Sequence, residues 1–366
     1  MYLKALKGSG FRNLSDFELE FSPHKNLFIG GNGAGKTNLL EAIYYLCIGR
    51  SQRESAEDEH LIQFNKELMR IEGWAEARGG EVHVETALTK DEKRLRINGE
   101  PQSRLSELIG RLPIVSLSPE DDELCKAGPG SRRRFLDMAI SQFSRSYLAD
   151  LQEYRRILHQ RNRLLFDIRE GRAEGGSLEA WNQQLISCGV RIIKKRLEVI
   201  DDLKEMAGSR YVRISGGRER LGLRYHLSFK PEPGEALESA FQRALSSNFD
   251  FERRRGMTMF GPHRDDLEIA IGGQRIRSFG SQGQQRTAAI ALKLGEAEML
   301  ANQLGEKPAV LLDEIFAELD RDRGRFLVEQ LEPDYQVFIA TAKDDDVSVS
   351  DGFRRFRVEA GRVMAD

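Results

Sequence analysis

The chain has 366 residues, 40% of them hydrophobic and 31% charged, the make-up of a soluble globular protein with room for a sizeable core. A formal net charge of −2 excludes a globally basic nucleic-acid binder but leaves local basic patches open. Cys47, Cys125 and Cys188 are too far apart for a metal-ligand pair or a disulfide framework, which predicts a cytoplasmic location; no signal peptide or membrane-length apolar run is expected.

Residues 1–30 read as strands: Leu3 to Leu6, Phe17 to Phe21 with strict alternation, and Lys25 to Ile29. The last feeds Gly30-Gly31-Asn32-Gly33-Ala34-Gly35-Lys36-Thr37, which fits G-x-x-x-x-G-K-[ST] and is followed by a helical pattern of Leu39, Leu40, Ile43, Leu46 and Cys47. Ser51 to His60 carries few apolar residues and reads as a loop. Strands resume over residues 69–101, with Asn98-Gly99 as a hairpin signal. Leu112 to Leu117 is a further apolar run, closed by Ser118-Pro119-Glu120-Asp121.

The character then changes. One long helix is predicted from Ser131 to Phe166, a break from Arg169 to Ser177, and a second helix from Leu178 to Met206. Such a helical hairpin has arms of ~50 Å, long enough to project from a compact head; the alternative is a pair of ordinary core helices. Strands are predicted at Tyr211 to Ile214 and from Leu221 to Phe229, then a helix from Gly234 to Asn248. Phe260 to Asp266 is a turn opening a strand hairpin around Gly272-Gly273. A Gly/Gln-rich loop, Ser278 to Arg286, runs into a helix with Ile290, Leu294, Ala297 and Ala301 on one face. Ala309 to Glu314 is a buried strand ending in two acids, and a helix (Arg321 to Leu331), a strand (Tyr335 to Thr341) and a hairpin near Gly361 close the chain.

Strand, glycine-rich loop and helix in that order predict a nucleoside-triphosphate site. Its glycines let backbone N–H groups surround the β-phosphate, Lys36 reaches the β/γ-phosphates, and the Thr37 hydroxyl is offered to Mg²⁺. An apolar strand ending in Asp313-Glu314 supplies the complement: Asp313 holds Mg²⁺ through water and Glu314 polarises the attacking water as general base. About 280 residues separate Gly30 from Asp313, so a large segment is inserted. Ser281-Gln282-Gly283-Gln284 opens a helix whose free N–H groups suit a γ-phosphate. A second phosphate reader in a chain that already has Lys36 predicts two chains meeting head to tail, each closing the other's nucleotide.

With these residues the chain resembles the ABC-type ATPases and, among them, the RecF family of bacterial DNA repair. Gly30 to Thr37 is similar to Walker A, Val310 to Glu314 to Walker B, Gly280 to Gln284 to the signature loop, and Glu318-Leu319-Asp320 to the D-loop. More specific to that family are Gly10-Phe11-Arg12-Asn13-Leu14, Ser118 to Asp121, Arg132-Arg133-Arg134-Phe135-Leu136-Asp137 and Gly261-Pro262-His263-Arg264-Asp265-Asp266. Two features depart from the wider ABC pattern. No His follows Ile339-Ala340-Thr341, and no glutamine stands beside Ser116 to Glu120, so the switch and Q-loop roles are unassigned.

The resemblance implies an α/β fold, an ABC-type ATPase head with a mixed sheet plus an inserted α-helical lobe in the SMC-like branch. Residues 1–125 and 256–366 would form the head and 126–255 the lobe. It implies ATP and Mg²⁺ as cofactors, with Arg12, Asn13, Gly30, Gly31, Asn32, Gly33, Ala34, Gly35, Lys36 and Thr37 binding nucleotide and Thr37 and Asp313 the metal. Lys36, Asp313, Glu314, Ser281 and Gly283 would carry catalysis, slow and DNA-stimulated. The implied partners are single- and double-stranded DNA at gaps, a second copy bound through ATP, and RecR and RecO, in recombinational repair, replication restart and the SOS response; no membrane is implied.

Local charge leaves DNA contact open. Arg132 to Arg134, Arg155-Arg156, Arg161, Arg163, Lys194-Lys195-Arg196 and Arg253 to Arg255 are clustered cations that either read phosphates or form faces balanced by nearby acids. Two other functions share these motifs: a nucleotide-gated assembly factor in which binding alone acts, and the ATPase subunit of a membrane transporter. The long helical insertion and the missing switch histidine oppose the latter.

Overall fold

The computed structural model describes residues 1–52, 58–174, 176, 178–217, 219–319, 321–331, 334–342 and 352–366. Part of the loop read between Ser51 and His60, Ser177, and Asp320 of the D-loop pattern lie outside them. Two compact units divide the chain: Met1–Asp121 with Ile290–Asp366, and Asp122–Ala289. The sequence places the second boundary after residue 255, whereas the second unit runs to 289. It does so because the strand Asp266–Ile271 pairs antiparallel with Leu221–His226 and with Gln274–Arg275, a sheet that belongs to the inserted segment.

The first unit holds two six-stranded sheets. One is antiparallel, in the order Phe17–Glu20, Tyr2–Ser9, Met69–Ala77, Gly80–Leu88, Lys93–Ile97, Glu100–Gln102. The other runs Arg362–Ala365, Phe353–Glu359, Lys25–Ile29, Val337–Thr341, Ala309–Asp313, Ile114–Leu117, parallel throughout except for the terminal hairpin. Strands buried on both faces read as continuous apolar runs, which is why Val337–Thr341 is buried throughout and Leu27 and Phe28 show no alternation. Phe28, Phe338 and Phe356, on three adjacent strands, meet Phe21 edge-on and are themselves fully buried. That aromatic cluster anchors the strand from which the phosphate loop springs. Gln336 ties the two sheets together: its amide accepts from Leu3 N at 2.8 Å and donates to Leu3 O at 2.8 Å.

The second unit contains the helices Pro129–Phe143, Arg145–Arg169, Leu178–Ile214, Leu237–Ser247 and Phe249–Arg255 beside its three-stranded sheet. Two expectations are corrected here. The helix expected to run unbroken from Ser131 to Phe166 stops at Phe143, and Ser144, in extended conformation, caps the next one by accepting from Tyr147 N at 3.3 Å. The strand expected at Tyr211 to Ile214 is the last turn of a 37-residue helix. Tyr211 continues the buried stripe of Ile200, Leu203 and Ala207, so packing overrides the β-preference of Tyr-Val-Arg-Ile. Gly216 and Gly217, with φ of 71° and 78°, then turn the chain away.

The lobe's core is polar as well as apolar. Arg161 and Arg196 are among the largest fully buried side chains. Arg161 reaches Glu252 at 2.6 Å and Thr258 at 2.7 Å; Arg196 reaches Asp137 at 2.7 Å, Tyr225 Oη at 2.9 Å and the Pro262 carbonyl at 2.7 Å. Among the described residues no helix is long and apolar enough to cross a membrane.

Candidate nucleotide site

The phosphate loop leaves the strand Lys25–Ile29 and enters the helix Lys36–Ile48 at Lys36. Its carbonyls are tied back one by one. Lys36 Nζ donates to Gly30 O at 2.8 Å and Gly31 O at 3.1 Å, Asn13 Nδ2 to Gly33 O at 3.3 Å, and Gly361 N to Ala34 O at 2.8 Å. Gly30 N donates to Thr341 O at 3.4 Å and Ala34 N to Gly31 O at 3.2 Å, so an anion cradle here would draw on the loop's other amides. Any side chain at Gly30 would meet the Val358 carbonyl at 2.1 Å, so the terminal hairpin packs directly on the loop. At its turn Gly361, with φ of 82°, accepts from Ser15 N at 2.8 Å, and a Cβ there would lie 2.1 Å from Asn13 O.

Asp313 ends the strand Ala309–Asp313, separated from the loop's strand by Val337–Thr341 alone. Thr37 Oγ1 donates to Asp313 Oδ1 at 3.0 Å. Glu314, with φ of 50° in the left-handed region, turns back so that its carboxylate meets Lys36 Nζ at 2.9 Å. Lys36 is 3% exposed, and its ammonium donates to two carbonyls and pairs with the Glu314 carboxylate. The structure thus brings Lys36, Thr37, Asp313 and Glu314 together.

Arg12 and Asn13 flank the same loop. Arg12, at φ of 51°, makes a two-pronged pair with buried Glu41 at 3.0 and 2.8 Å and donates to His60 O at 3.0 Å; Ser51 Oγ joins Glu41 at 2.5 Å. Asn13 accepts from Asn38 Nδ2 at 2.7 Å. The sequence assigns no role at the site to Glu41 and marks Gly361 only as a hairpin turn. Glu41 lies on the far side of its helix from the stripe of Leu39, Ile43 and Leu46, so the apolar pattern does not mark it, and nothing local marks the contact of Gly361 with Ala34. Gln52 is a third such residue: its Nε2 donates to Ser116 Oγ at 2.8 Å, so a glutamine from a different loop meets that strand.

The donor set fits a magnesium nucleotide. Thr37 and Asp313 present a hydroxyl and a carboxylate side by side. That is the sparse protein contribution expected of Mg²⁺, which takes most of its ligands from water and phosphate.

Ser281 and Gly283 lie in the second unit, at the start of the helix Gln282–Leu304. Both are exposed. Ser281 N donates to Gln284 Oε1 at 2.8 Å and Gln284 N to Ser281 Oγ at 3.2 Å, a reciprocal capping box. The Ser281 hydroxyl accepts in this arrangement, so its own proton is available to a phosphate oxygen.

The proposed DNA cations sort by burial. Arg132 is 6% exposed and pairs with both Asp266 oxygens, at 2.8 and 3.0 Å, and with the Leu124 and Ala127 carbonyls; Arg133 donates to Asp265 O at 2.7 Å. Arg132, Arg161 and Arg196 therefore serve the lobe's interior. Arg163, Arg254 and Arg255 are exposed, and among the described residues Arg163 and Arg254 meet no carboxylate.

A phosphate loop on an inner strand of a parallel sheet, an Asp-Glu strand end facing it and a lobe inserted between them define the head of an ABC-type ATPase of the SMC-like branch. The family model described as the RecF/RecN/SMC N-terminal domain matches residues 2–363. The chain belongs to this family, in its RecF branch. It is 40% identical to the DNA replication and repair protein RecF of Halothermothrix orenii, across 94% of this chain and 92% of that one. Against the RecF of Staphylococcus aureus it is 36% identical over the full length of both. A solved RecF–ATP structure, of a recombination mediator in the RecFOR pathway, superposes with a TM-score of 0.93 at 34% identity, covering 100% of this chain and 97% of the other.

Proposed function

We propose that this chain is a Mg²⁺-dependent ATPase that binds DNA during recombinational repair and replication restart. ATP binding draws two copies together head to tail on DNA, and slow, DNA-stimulated hydrolysis releases them. The observation that carries the reading is the constellation of Lys36, Thr37, Asp313 and Glu314 around a loop whose carbonyls are tied back. The Gly30–Thr37 amides and Lys36 would bind the phosphates, with Arg12 and Asn13 flanking them. Thr37 and Asp313 would hold the metal, which supplies charge neutralisation at the β/γ-phosphates. Glu314 would take the proton of the attacking water, and Ser281 and Gly283 of the second copy would bind the γ-phosphate from the far side.

The relatives' names support the setting: they are DNA replication and repair proteins, and one solved relative is placed in the RecFOR pathway. RecO and RecR are accordingly the proposed protein partners and the cytoplasm the proposed location. Arg163, Arg254 and Arg255 are the cations best placed to meet phosphates, without sequence preference. Light scattering on a sizing column tests the core of the reading. Mg²⁺-ATP with gapped DNA should give a dimer and Mg²⁺-ADP a monomer. A mass indifferent to the γ-phosphate would rule the head-to-tail scheme out.

A further inference from the structure

The loop that opens the helix Gln282–Leu304 is not held by its own residues alone. Gln284 uses its side-chain oxygen to accept from Ser281 N, and its side-chain nitrogen donates to Glu219 Oε1 at 2.7 Å. The second oxygen of Glu219 accepts from Tyr211 Oη at 3.1 Å. Tyr211 is 1% exposed near the end of the helix Leu178–Ile214. Glu219 stands just ahead of the strand Leu221–His226, where Arg220 O accepts from Gly272 N at 3.1 Å. Both ends of this chain of hydrogen bonds are thus set in regular structure within one compact unit.

An amide has two ends that differ only in what they bond. A carboxylate accepts and cannot donate, so it admits the –NH₂ end of Gln284 and rejects the carbonyl end. Glu219 therefore selects one of the two flips, and that flip turns Oε1 to Ser281 N and closes the capping box. Without an acceptor at 219 the amide is free to rotate, and the Ser281 N–H loses its partner. A charge-assisted bond of this kind is also about twice as strong as a neutral one.

We propose that Glu219, itself oriented by Tyr211, is the positioning residue that fixes the Gln284 amide and so holds the Ser281–Gly283 loop in the shape that receives a phosphate. This inference rests on the head-to-tail reading for what the loop does, but the positioning itself is measurable in a single chain.

The test uses the full chain in four forms: wild type, Glu219→Ala, Glu219→Gln and Tyr211→Phe. Amide hydrogen exchange of the nucleotide-free chain reports on the loop, and the ATP-dependent dimer constant reports on its use. Glu219→Ala should speed exchange at Ser281 and Gln284 about tenfold and weaken the dimer by a similar factor, with ATP affinity of the single chain unchanged. Glu219→Gln should restore both only in part, because its amide can turn either its carbonyl or its –NH₂ to Gln284 and so no longer selects one flip. Tyr211→Phe should give a smaller shift in the same direction. Unchanged exchange in Glu219→Ala, or exchange in Glu219→Gln as slow as in wild type, overturns the proposal. A Ser281→Arg chain in the same dimer assay separates the two ideas. If exchange responds to Glu219 while Ser281→Arg dimerises normally, Glu219 does position the loop and the head-to-tail reading is wrong.

Discussion

Replacing Glu314 by Gln should have two effects of opposite sign. The carboxylate lies 2.9 Å from Lys36 Nζ and is 29% exposed, while Lys36 is 3% exposed. A triphosphate must take Lys36 away from that partner. An ion pair in so mixed an environment lies between the surface and buried cases, about 1–2 kcal/mol. The amide keeps a hydrogen bond from the lysine ammonium but loses the attraction between two charges, so roughly half of that, about 0.7 kcal/mol, is recovered as nucleotide affinity, or about threefold. Hydrolysis should fall on the order of a thousandfold, because an amide takes no proton from water at neutral pH. The isolated variant should thus bind Mg²⁺-ATP more tightly by calorimetry, turn it over poorly in a single-turnover assay, and form a longer-lived dimer on DNA. Turnover within about threefold of wild type would remove Glu314 from the chemistry. Weaker ATP binding would show that the Lys36–Glu314 pair does not compete with the nucleotide. A dimer that dissociates as fast as wild type would favour an assembly factor in which binding alone acts.

Gly361→Ala forces a side chain to within 2.1 Å of Asn13 O at a φ of 82°, so the turn must move away from Ala34; ATP and ADP affinity should both drop about tenfold, and unchanged affinities would show that the terminal hairpin does not shape the loop. Ser281→Arg and Lys36→Ala chains should each be inactive, yet a mixture should recover activity from dimers with one intact site; no recovery between folded chains would place both loops within one chain. Arg132→Ala should cost about 2–4 kcal/mol in denaturant melts, since it strands Asp266, and leave the salt dependence of DNA binding alone. Arg163→Ala with Arg254→Ala should instead flatten the log–log salt slope by about one for each phosphate no longer neutralised, and an unaltered slope would put DNA elsewhere. His263, held by Tyr154 and Thr258, has its pKa lowered from 6.5 to about 4, chiefly by burial. The unfolded chain takes up that proton first, so stability present above pH 6.5 should be lost as pH falls towards 4, by at most about 3 kcal/mol. Melting curves of His263→Gln should show a shallower pH dependence across that window, and an identical slope would clear this histidine.

What the sequence made legible was contiguous. Gly30 to Thr37 is a fixed spacing on a strand-to-helix turn, and Ala309 to Asp313 is an apolar strand with an acid at its end; both can be read without knowing what else the chain does. What it hid was long-range. The Gly361 amide meets Ala34 across more than three hundred residues, Gln52 meets Ser116, and Glu219 meets Gln284; no local pattern encodes such pairs. Ser144 escaped because Ile140, Phe143 and Tyr147 keep helical spacing straight across the break. The arginine clusters escaped for a different reason: Arg132, Arg161 and Arg196 look like Arg254 in the sequence, and only the carboxylates brought to them by folding separate a core cation from a surface one.

The same pairing logic bears on how hydrolysis is timed. The Glu314 carboxylate is paired with Lys36, and the Thr37 hydroxyl donates to Asp313. With the ammonium at 2.9 Å, a carboxylate oxygen of Glu314 is already engaged and is not open to a water. On the proposed mechanism, phosphates draw Lys36 from Glu314, and the base is freed only when there is a substrate to attack. Thr37 and Asp313 would be the residues that hold the metal, which would supply charge neutralisation at the phosphates. The loop's carbonyls need not move, since Asn13 and Gly361 hold Gly33 and Ala34 independently of Lys36. Loading and arming the site are then a single exchange of partners at Lys36, which leaves the second copy's Ser281 loop as the remaining condition for turnover.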